Sequence, residues 1–539
     1  MMTRIRFVLL VVLTTAGLAA QTTSDRLLRA ANEPANWLTY SGDYASRRFS
    51  ALDQITPKNV ANLEQKWVFQ AQSLEKFTVT PIVEDGVMYV TQANNHVVAL
   101  DARTGRVFWI YQHPLSADLR LCCGQVNRGV AILGDTLFMG TLDARLIALD
   151  KRTGRPIWNV AVAVAKAGYS LTLAPLIVKD KVIVGTSGGE YGIRGFIAAY
   201  DAKTGKEAWR FNTIPNPGEP GHESWQNDAW KSGGGSAWMT GSYDPELNLT
   251  YWGIGNPGPD LNPAQRPGDN LYTNSVVALD ADTGALKWHF QFTPHDAADW
   301  DATQVPVLVD AAWNGTPRKL LYFANRNGFF YVLDRTDGRF LLGKPFVKQN
   351  WAKGLDGNGR PILASIAEGA PTYPGMQGGT NWYSPSYSPR TGFFYLSTWE
   401  DSGTVFIPQP MTFVEGQRFM GGRGRSGTPH LRRGAINTWT EEAGYGAVVA
   451  IDPQTGERKW AFTMHDVTDA GVLTTAGDLV FSGGREGYVF ALDARTGALL
   501  WKAAVGGQVG AAPIAYQVNG KQHISIAAGN VLFTYALRD

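Results

Sequence analysis

One phrase recurs along this 539-residue chain and constrains its fold more than any other feature. An apolar run ends in Asp, and Thr-Gly follows after two variable residues. It reads ALDARTGRVFW (Ala99–Trp109), ALDKRTGRPIW (Ala148–Trp158), AYDAKTGKEAW (Ala199–Trp209) and ALDADTGALKW (Ala278–Trp288). It returns as VLDRTDGRF (Val332–Phe340), AIDPQTGERKW (Ala450–Trp460) and ALDARTGALLW (Ala491–Trp501), with a degenerate copy, YSPRTGFFY, at Tyr387–Tyr395. At the Asp position (Asp101, Asp150, Asp201, Asp280, Asp334, Ser388, Asp452, Asp493) the steps are 49, 51, 79, 54, 54, 64 and 41 residues. Periods of that size belong to solenoids and propellers.

Each copy has a physical reading. The apolar run alternates with the two-residue period of a strand. Asp then offers its carboxylate to amides ahead of it, Gly accepts the positive φ of a turn, and a second strand runs to Trp. The Trp presents a broad apolar face to a neighbouring sheet and one N–H to donate. A unit of about 50 residues cannot build a stable core alone. Eight units closed into a ring bury one another's faces and leave only short edges. The chain is therefore expected to be all-β, an eight-bladed propeller forming one domain over residues 21–539. The two irregular stretches, about Pro215–Gly235 and Ser402–Thr440, are candidates to roof a central site, since long loops on a rigid scaffold tend to be functional.

The first 20 residues stand apart from this domain. Arg4 and Arg6 precede the apolar run Phe7–Leu13, and the segment closes on Ala19 and Ala20, the pattern of a secretory signal. Its apolar core is too short to span a bilayer, so a periplasmic protein without stable membrane insertion is expected. Lys and Arg number 49 against 47 Asp and Glu, and that balance argues against a general nucleic-acid binder. There are two cysteines and no CxxCH, so a disulfide framework, a four-cysteine zinc site and a covalently attached haem are all excluded.

The two cysteines, Cys122 and Cys123, are adjacent. A bridge would hold Cα atoms about 3.8 Å apart, below the usual range, yet an oxidising compartment permits it; two buried thiols are the alternative. The string CCGQVNRG (Cys122–Gly129), together with the Trp-ended repeats, resembles the quinoprotein alcohol dehydrogenases across essentially the whole mature chain. That resemblance implies pyrroloquinoline quinone (PQQ) and a metal ion on the axis of an eight-bladed propeller. It also implies oxidation of an alcohol and transfer of electrons to a cytochrome c.

Residue by residue, the resemblance sharpens what the local chemistry leaves open. Glu190, in GTSGGEYGIRG, reads alone as an exposed turn acid; the family makes it a metal ligand, with Ser187, Gly188 and Gly189 beside the quinone. Thr172, in SLTLAP, matches a hydroxyl that bonds the cofactor. GGGSAW supplies Ser236, matching a cofactor contact, and Trp238, which reads alone as a core residue. By resemblance Trp238 stacks on one face of PQQ, with the Cys122–Cys123 disulfide on the other. Asn256, in YWGIGNPGP, would cap a turn by itself, and the family makes it a neutral oxygen ligand of the metal.

The densest signal is TPHDAADWDATQ (Thr293–Gln304). Asp299 and Asp301 flank Trp300, so an extended backbone would point both carboxylates one way. Side-by-side acids are costly unless a cation or a shared proton offsets them. The resemblance makes Asp299 the general base and a member of the metal site with Glu190, Asn256 and Asp301, and puts Asp301 where lanthanide-dependent members carry an extra carboxylate. Glu190, Asp301 and one PQQ carboxylate together favour a trivalent ion over calcium. Arg128 and Arg326 match cations that bond quinone oxygens and carboxylates, and Arg326 would stabilise charge during the reaction. Asn381 and Trp382, in GGTNWYSP, match a pair bordering the cofactor.

Two departures are visible. Thr78 stands where the family often has Glu ahead of the proline at Pro81, and a Trp of methanol dehydrogenase is missing from VTDAGVLTTAGD. The expected substrate is a small primary alcohol. A sugar or polyol dehydrogenase on the same fold is the nearer rival, and a cofactor-free scaffold of the outer-membrane-assembly type the more distant one. The sequence leaves oligomeric state open, a homodimer being one option.

Overall fold

The computed structural model describes residues 21–426 and 444–538. The segment expected to be a secretory signal and part of the Ser402–Thr440 stretch lie outside the described residues. Among the described residues no helix is long and apolar enough to cross a membrane.

The chain folds as an eight-bladed β-propeller. The first blade is the meander Ile82–Glu84, Val87–Thr91, Val97–Asp101 and Val107–Tyr111. The pattern repeats in blades whose innermost strands are Ala131–Leu133, Leu176–Val178, Ser242–Asp244, Val307–Trp313, Ser386–Tyr387 and Leu473–Thr475. The eighth blade joins the two ends of the domain. Strand Leu63–Gln70 pairs antiparallel with Val531–Leu537, which continues through Lys521–Ala528 to the innermost Ile514–Val518.

The repeat chemistry accounts for the ring. In the second copy, Asp150 Oδ1 accepts from the amides of Arg152 (3.0 Å) and Thr153 (2.9 Å) and from the Thr153 hydroxyl (2.9 Å), closing the turn. In every blade the third and fourth strands slip register just ahead of the aromatic position, as at Pro156/Trp158. A bulge of this kind re-aims the following side chain.

The re-aimed Trp then reaches the next blade. Its Nε1 donates to the carbonyl just after that blade's repeat Asp: Trp109 to Lys151, Trp158 to Ala202, Trp209 to Ala281, Trp288 to Arg335, Trp460 to Ala494. The next repeat's glycine lies flat against the indole. A Cβ on Gly284, at φ +72°, would sit 2.4 Å from Trp209 Cε3. Hydrophobic clusters accordingly form between neighbouring blades, as where Ile82, Val97 and Ala99 meet Ile132, Leu137 and Ile147.

The degenerate copy plays another role. Ser388 turns the first strand of blade six into its second, Phe394–Glu400, and Asp452 marks that blade's repeat turn. The remaining blade is the closing one, whose Trp comes from the N-terminal strand: Trp67 Nε1 donates to Ala102 O at 3.2 Å. Eight blades are present, but the eighth carries no D-x-x-T-G phrase.

The segment from Trp37 to Ser50 plugs one end of the central channel. Its backbone pairs with Val83 of blade one, and its carbonyls accept from Tyr243, Leu308, Tyr387 and Thr474 of blades four to seven. Leu38 packs with Ala131 and Ile177 of blades two and three. Arg48, fully buried, donates to the carbonyls of Tyr40, Ala512 and Pro513. Burial lowers its pKa to about 10.

Candidate active site

The residues just upstream of each innermost strand form a ring above the plug. Thr78, Arg128, Thr172, Trp238 and Trp382 arrive there from blades one, two, three, four and six. Connections between blades and between second and third strands add Cys122, Cys123, Glu190, Asp299, Asp301 and Arg326. Together they wall a cavity of about 500 Å³, within the range of small-ligand sites.

Local structure explains each placement. After strand Lys181–Gly185 the chain makes a tight turn in which Gly188 takes φ +116°, a value most residues avoid. This brings Ser187 Oγ to 2.8 Å from Thr172 Oγ1. Gly189 lies against Ser236 Oγ and Asn256 Oδ1. The Cys122–Cys123 disulfide is formed, with Cys123 Sγ 3.8 Å from Glu190 Oε1. Gly189 and Asn256 stand behind the wall; every other expected cofactor or metal residue lines the cavity itself.

The acidic segment departs from the extended geometry expected of it. Asp299 takes φ +58°, and Asp296 caps the turn by accepting from Ala298 N (3.0 Å) and Trp300 N (2.9 Å). Trp300 drives inward, donating to Gly375 O at 2.9 Å. The two aspartates converge on Arg326 instead of through strand alternation. Arg326 Nη1 lies 2.9 Å from Asp301 Oδ2, and Nη2 lies 3.7 Å from Asp299 Oδ2. Met376 O holds the guanidinium at 2.7 Å from Nη2. Asp301 also accepts from Trp238 Nε1 (3.2 Å) and Asn256 N (2.9 Å).

Electrostatics match this crowding. Burial pushes the Asp299 carboxyl well above the usual carboxylate range; Arg326 pulls it down, while Asp301 and Glu190 push it up. Glu190 and Asp301 are raised mainly by burial as well. The sequence reading missed a further acid, Asp260. It is fully buried, neither carboxylate oxygen has a hydrogen-bond partner, and burial with the charges of Asp299, Glu190 and Asp301 raises it well above the usual range. Its signal was weak because Asp260 sits in a Pro-rich turn, GNPGPDLNP, where an acid reads as a solvated cap.

Do these residues fit a metal and a flat polyacid cofactor? Glu190, Asn256 and Asp301 supply hard oxygen donors of the kind that divalent and trivalent cations take. Asn256 Oδ1 accepts no hydrogen bond among the described residues. The three expected carboxylates are not drawn together by themselves. Among the described residues the one group of three acid or sulfur side chains with ligand atoms within 4.8 Å is Cys122, Cys123 and Glu190, and disulfide sulfur is no thiolate. Arg326 supplies the counter-charge between the aspartates. Arg128 lies between Trp238 and Trp382, 4.9 and 4.8 Å from their ring centres. Its Nε is buried without a partner, and burial lowers its pKa to about 10. Its Nη1 donates to Thr172 O at 3.3 Å, and a buried cation with an unpaired nitrogen beside an open cavity fits an anionic ligand.

Neither of the two loops expected to roof the site lines the cavity, but one packs beside it. Phe419 N donates to Glu190 O at 2.6 Å, and Arg418 Nη2 donates to Cys122 O at 2.5 Å, laying residues 411–421 beside the disulfide. The Pro215–Gly235 insertion contributes no lining residue. It packs sideways instead, Trp225 Nε1 donating to Leu271 O at 2.6 Å.

A rigid ring whose hub gathers buried acids, cations and a Trp-walled cavity defines the class: a propeller enzyme built to hold a charged, planar ligand. The family profile described as "Glucose/ethanol/alcohol dehydrogenase, beta-propeller domain" matches residues 37–347. A second, "Outer membrane protein assembly factor BamB", matches residues 444–539, where the repeats dominate. The chain is 37% identical to the quinoprotein alcohol dehydrogenase PedH of Pseudomonas putida, over 95% of this chain and 89% of that one. Its fold resembles the quinohemoprotein alcohol dehydrogenase ADHIIG of Pseudomonas putida (TM-score 0.90, 37% identity, covering 97% and 83% of the two chains). It is also similar to a europium-containing methanol dehydrogenase (TM-score 0.89, 32% identity, 95% and 100%). The chain belongs to the PQQ-dependent alcohol dehydrogenase family and is an enzyme of that type.

Proposed function

We propose that this protein is a periplasmic dehydrogenase that oxidises a primary alcohol to its aldehyde and passes the electrons to an external cytochrome c. The observation that carries this reading is the buried Asp299–Arg326–Asp301 cluster opening into a cavity walled by Trp238 and the Cys122–Cys123 disulfide. The N-terminal basic–apolar–small pattern supports export, and the similar 1-butanol dehydrogenase (cytochrome c) of Thauera butanivorans supports a cytochrome acceptor.

Glu190, Asn256 and Asp301 would hold the metal, while Arg128, Thr172, Ser187, Ser236, Asn381 and the Trp238 face would hold PQQ. Bound there, PQQ supplies the two-electron acceptor and the metal supplies the Lewis acid that polarises its carbonyl. Asp299 accepts the alcohol's hydroxyl proton, and burial raises its proton affinity above that of an ordinary carboxylate, as a base requires. Arg326 steadies the Asp299 carboxylate before that transfer and offers fixed positive charge to a developing oxyanion.

Asp301 adds a negative charge beside the metal ligands, which supports a lanthanide over calcium because a trivalent ion better balances it at short range. Asp299→Asn should abolish dye-linked alcohol oxidation while PQQ binding, followed by its absorbance, persists. Full activity in that variant removes Asp299 from the mechanism. Reconstitution with PQQ plus lanthanum should give higher activity than PQQ plus calcium, and Asp301→Ala should reverse that order. Equal activity with both ions in the unaltered protein would end the lanthanide assignment.

A further inference from the structure

The hub has a second pole. Its buried acids come from blades three to five, whereas the connection from blade eight into blade one presents Lys76, beside Glu75, to the cavity. We propose that Lys76, fixed in place by Asp469, is a further cofactor-binding residue that takes a carboxylate of the planar polyacid. This rests on the function proposed above.

Lys76 lies on the connection from the closing blade into blade one. Along Lys76–Val79 the side chains alternate: Lys76 and Thr78 line the cavity, and Phe77 and Val79 are buried in the inter-blade core. Phe77 N donates to Gly529 O (3.1 Å), locking that register. The lysine stem crosses Gly510, where a Cβ would come within 2.8 Å of Lys76 Cδ. Only the absence of a side chain there lets the stem lie down along the wall.

Its Nζ reaches Asp469 Oδ2 at 2.7 Å. Asp469 is 3% exposed and is engaged from several sides. It also accepts from Arg485 Nη2 (2.9 Å to each oxygen), Gln508 Nε2 (2.7 Å) and Tyr383 Oη (3.0 Å). Lys76 and Arg485 share this one carboxylate, so Asp469 does not fully neutralise either cation. The Lys76 side chain remains 39% exposed, leaving donors free for a ligand. Burial would raise the Asp469 carboxyl, but Lys76 and Arg485 hold it below the usual range, so it stays an anchor.

Both partners occupy places where the sequence departs from its relatives' pattern. Thr78, two residues from Lys76, replaces an expected Glu, and Asp469 belongs to the VTDAGVLTTAGD stretch that lacks the expected Trp.

The test is equilibrium binding of PQQ to the metal-loaded protein, followed by quenching of tryptophan fluorescence. Lys76→Met should weaken binding about tenfold and flatten its salt dependence, while Lys76→Arg should stay within about threefold of the unaltered protein. Unchanged affinity in Lys76→Met, or equal losses in both variants, overturns the proposal. A measurement without mutation covers the case of misfolding: acetylation of Lys76, read by mass spectrometry, should slow when PQQ is present. An unaltered rate overturns it too. If the unaltered protein binds no PQQ at all, the proposed function itself fails, a result distinct from either of these.

Discussion

Asp260 concentrates the residue-scale argument. A buried carboxyl with neither oxygen bonded is tolerable when protonated and costly when charged. Its raised proton affinity, like that of Glu190, Asp299 and Asp301, means that the folded state binds protons more tightly than the unfolded chain. Stability contributed by such groups is complete below their unfolded pKa and is lost as pH rises through the folded values. The protein without metal and cofactor should therefore melt at a higher temperature at pH 5.5 than at pH 7.5. Asp260→Asn should raise the melting temperature at pH 7.5 and reduce that difference; an unchanged pH profile would show that Asp260 is paired in solution. Most of the candidate site was legible through local strings such as CCGQVNRG and ADWDATQ. Asp260, Lys76 and Asp469 were not, because their meaning lies in long-range neighbours: Asp469 meets Lys76 across 393 positions of chain.

At the level of the element, the Thr-Gly turn and the Trp prove to be one device split between adjacent blades. The glycine is required twice over at Gly284, for its positive φ and for contact with Trp209. At Gly392, in the degenerate copy, φ is +74° and nothing lies within 4 Å of the place a Cβ would take. Gly284→Ala should thus cost about 3 kcal/mol of unfolding free energy, through strain plus overpacking, and Gly392→Ala about 1 kcal/mol from φ alone. Denaturant titration of both variants checks the contrast, and equal losses would contradict the stacking role. This also explains why Ser388 misled the repeat count: turn chemistry is local and serves any tight connection between strands, whereas the Trp that defines a blade boundary is absent from YSPRTGFFY. The closing blade escaped the pattern for the converse reason, having its Trp but no D-x-x-T-G phrase of its own.

For the whole molecule, the plug and the closing blade tie distant parts of the chain to one axis. Arg48 joins Tyr40 to Ala512 and Pro513, and replacing it with Met would leave several buried carbonyls without donors. A loss of about 3 kcal/mol is expected, with hydrogen exchange rising first in Trp37–Ser50. Uniform exchange throughout the ring would argue against the segment acting as a plug. Propeller architecture could be foreseen because it follows from a repeated local rule. The plug could not, since the segment NWLTYSGDYASRRFS has no strand periodicity and takes its shape from the blades around it.

The contact between Arg48 and Ala512 spans 464 positions, and its consequence is one of timing. The ring cannot shut until its last strands exist, so no early fragment can reach the finished circular form. A polypeptide built in this way stays open-ended through most of its synthesis and becomes one rigid body only when its first and last strands meet.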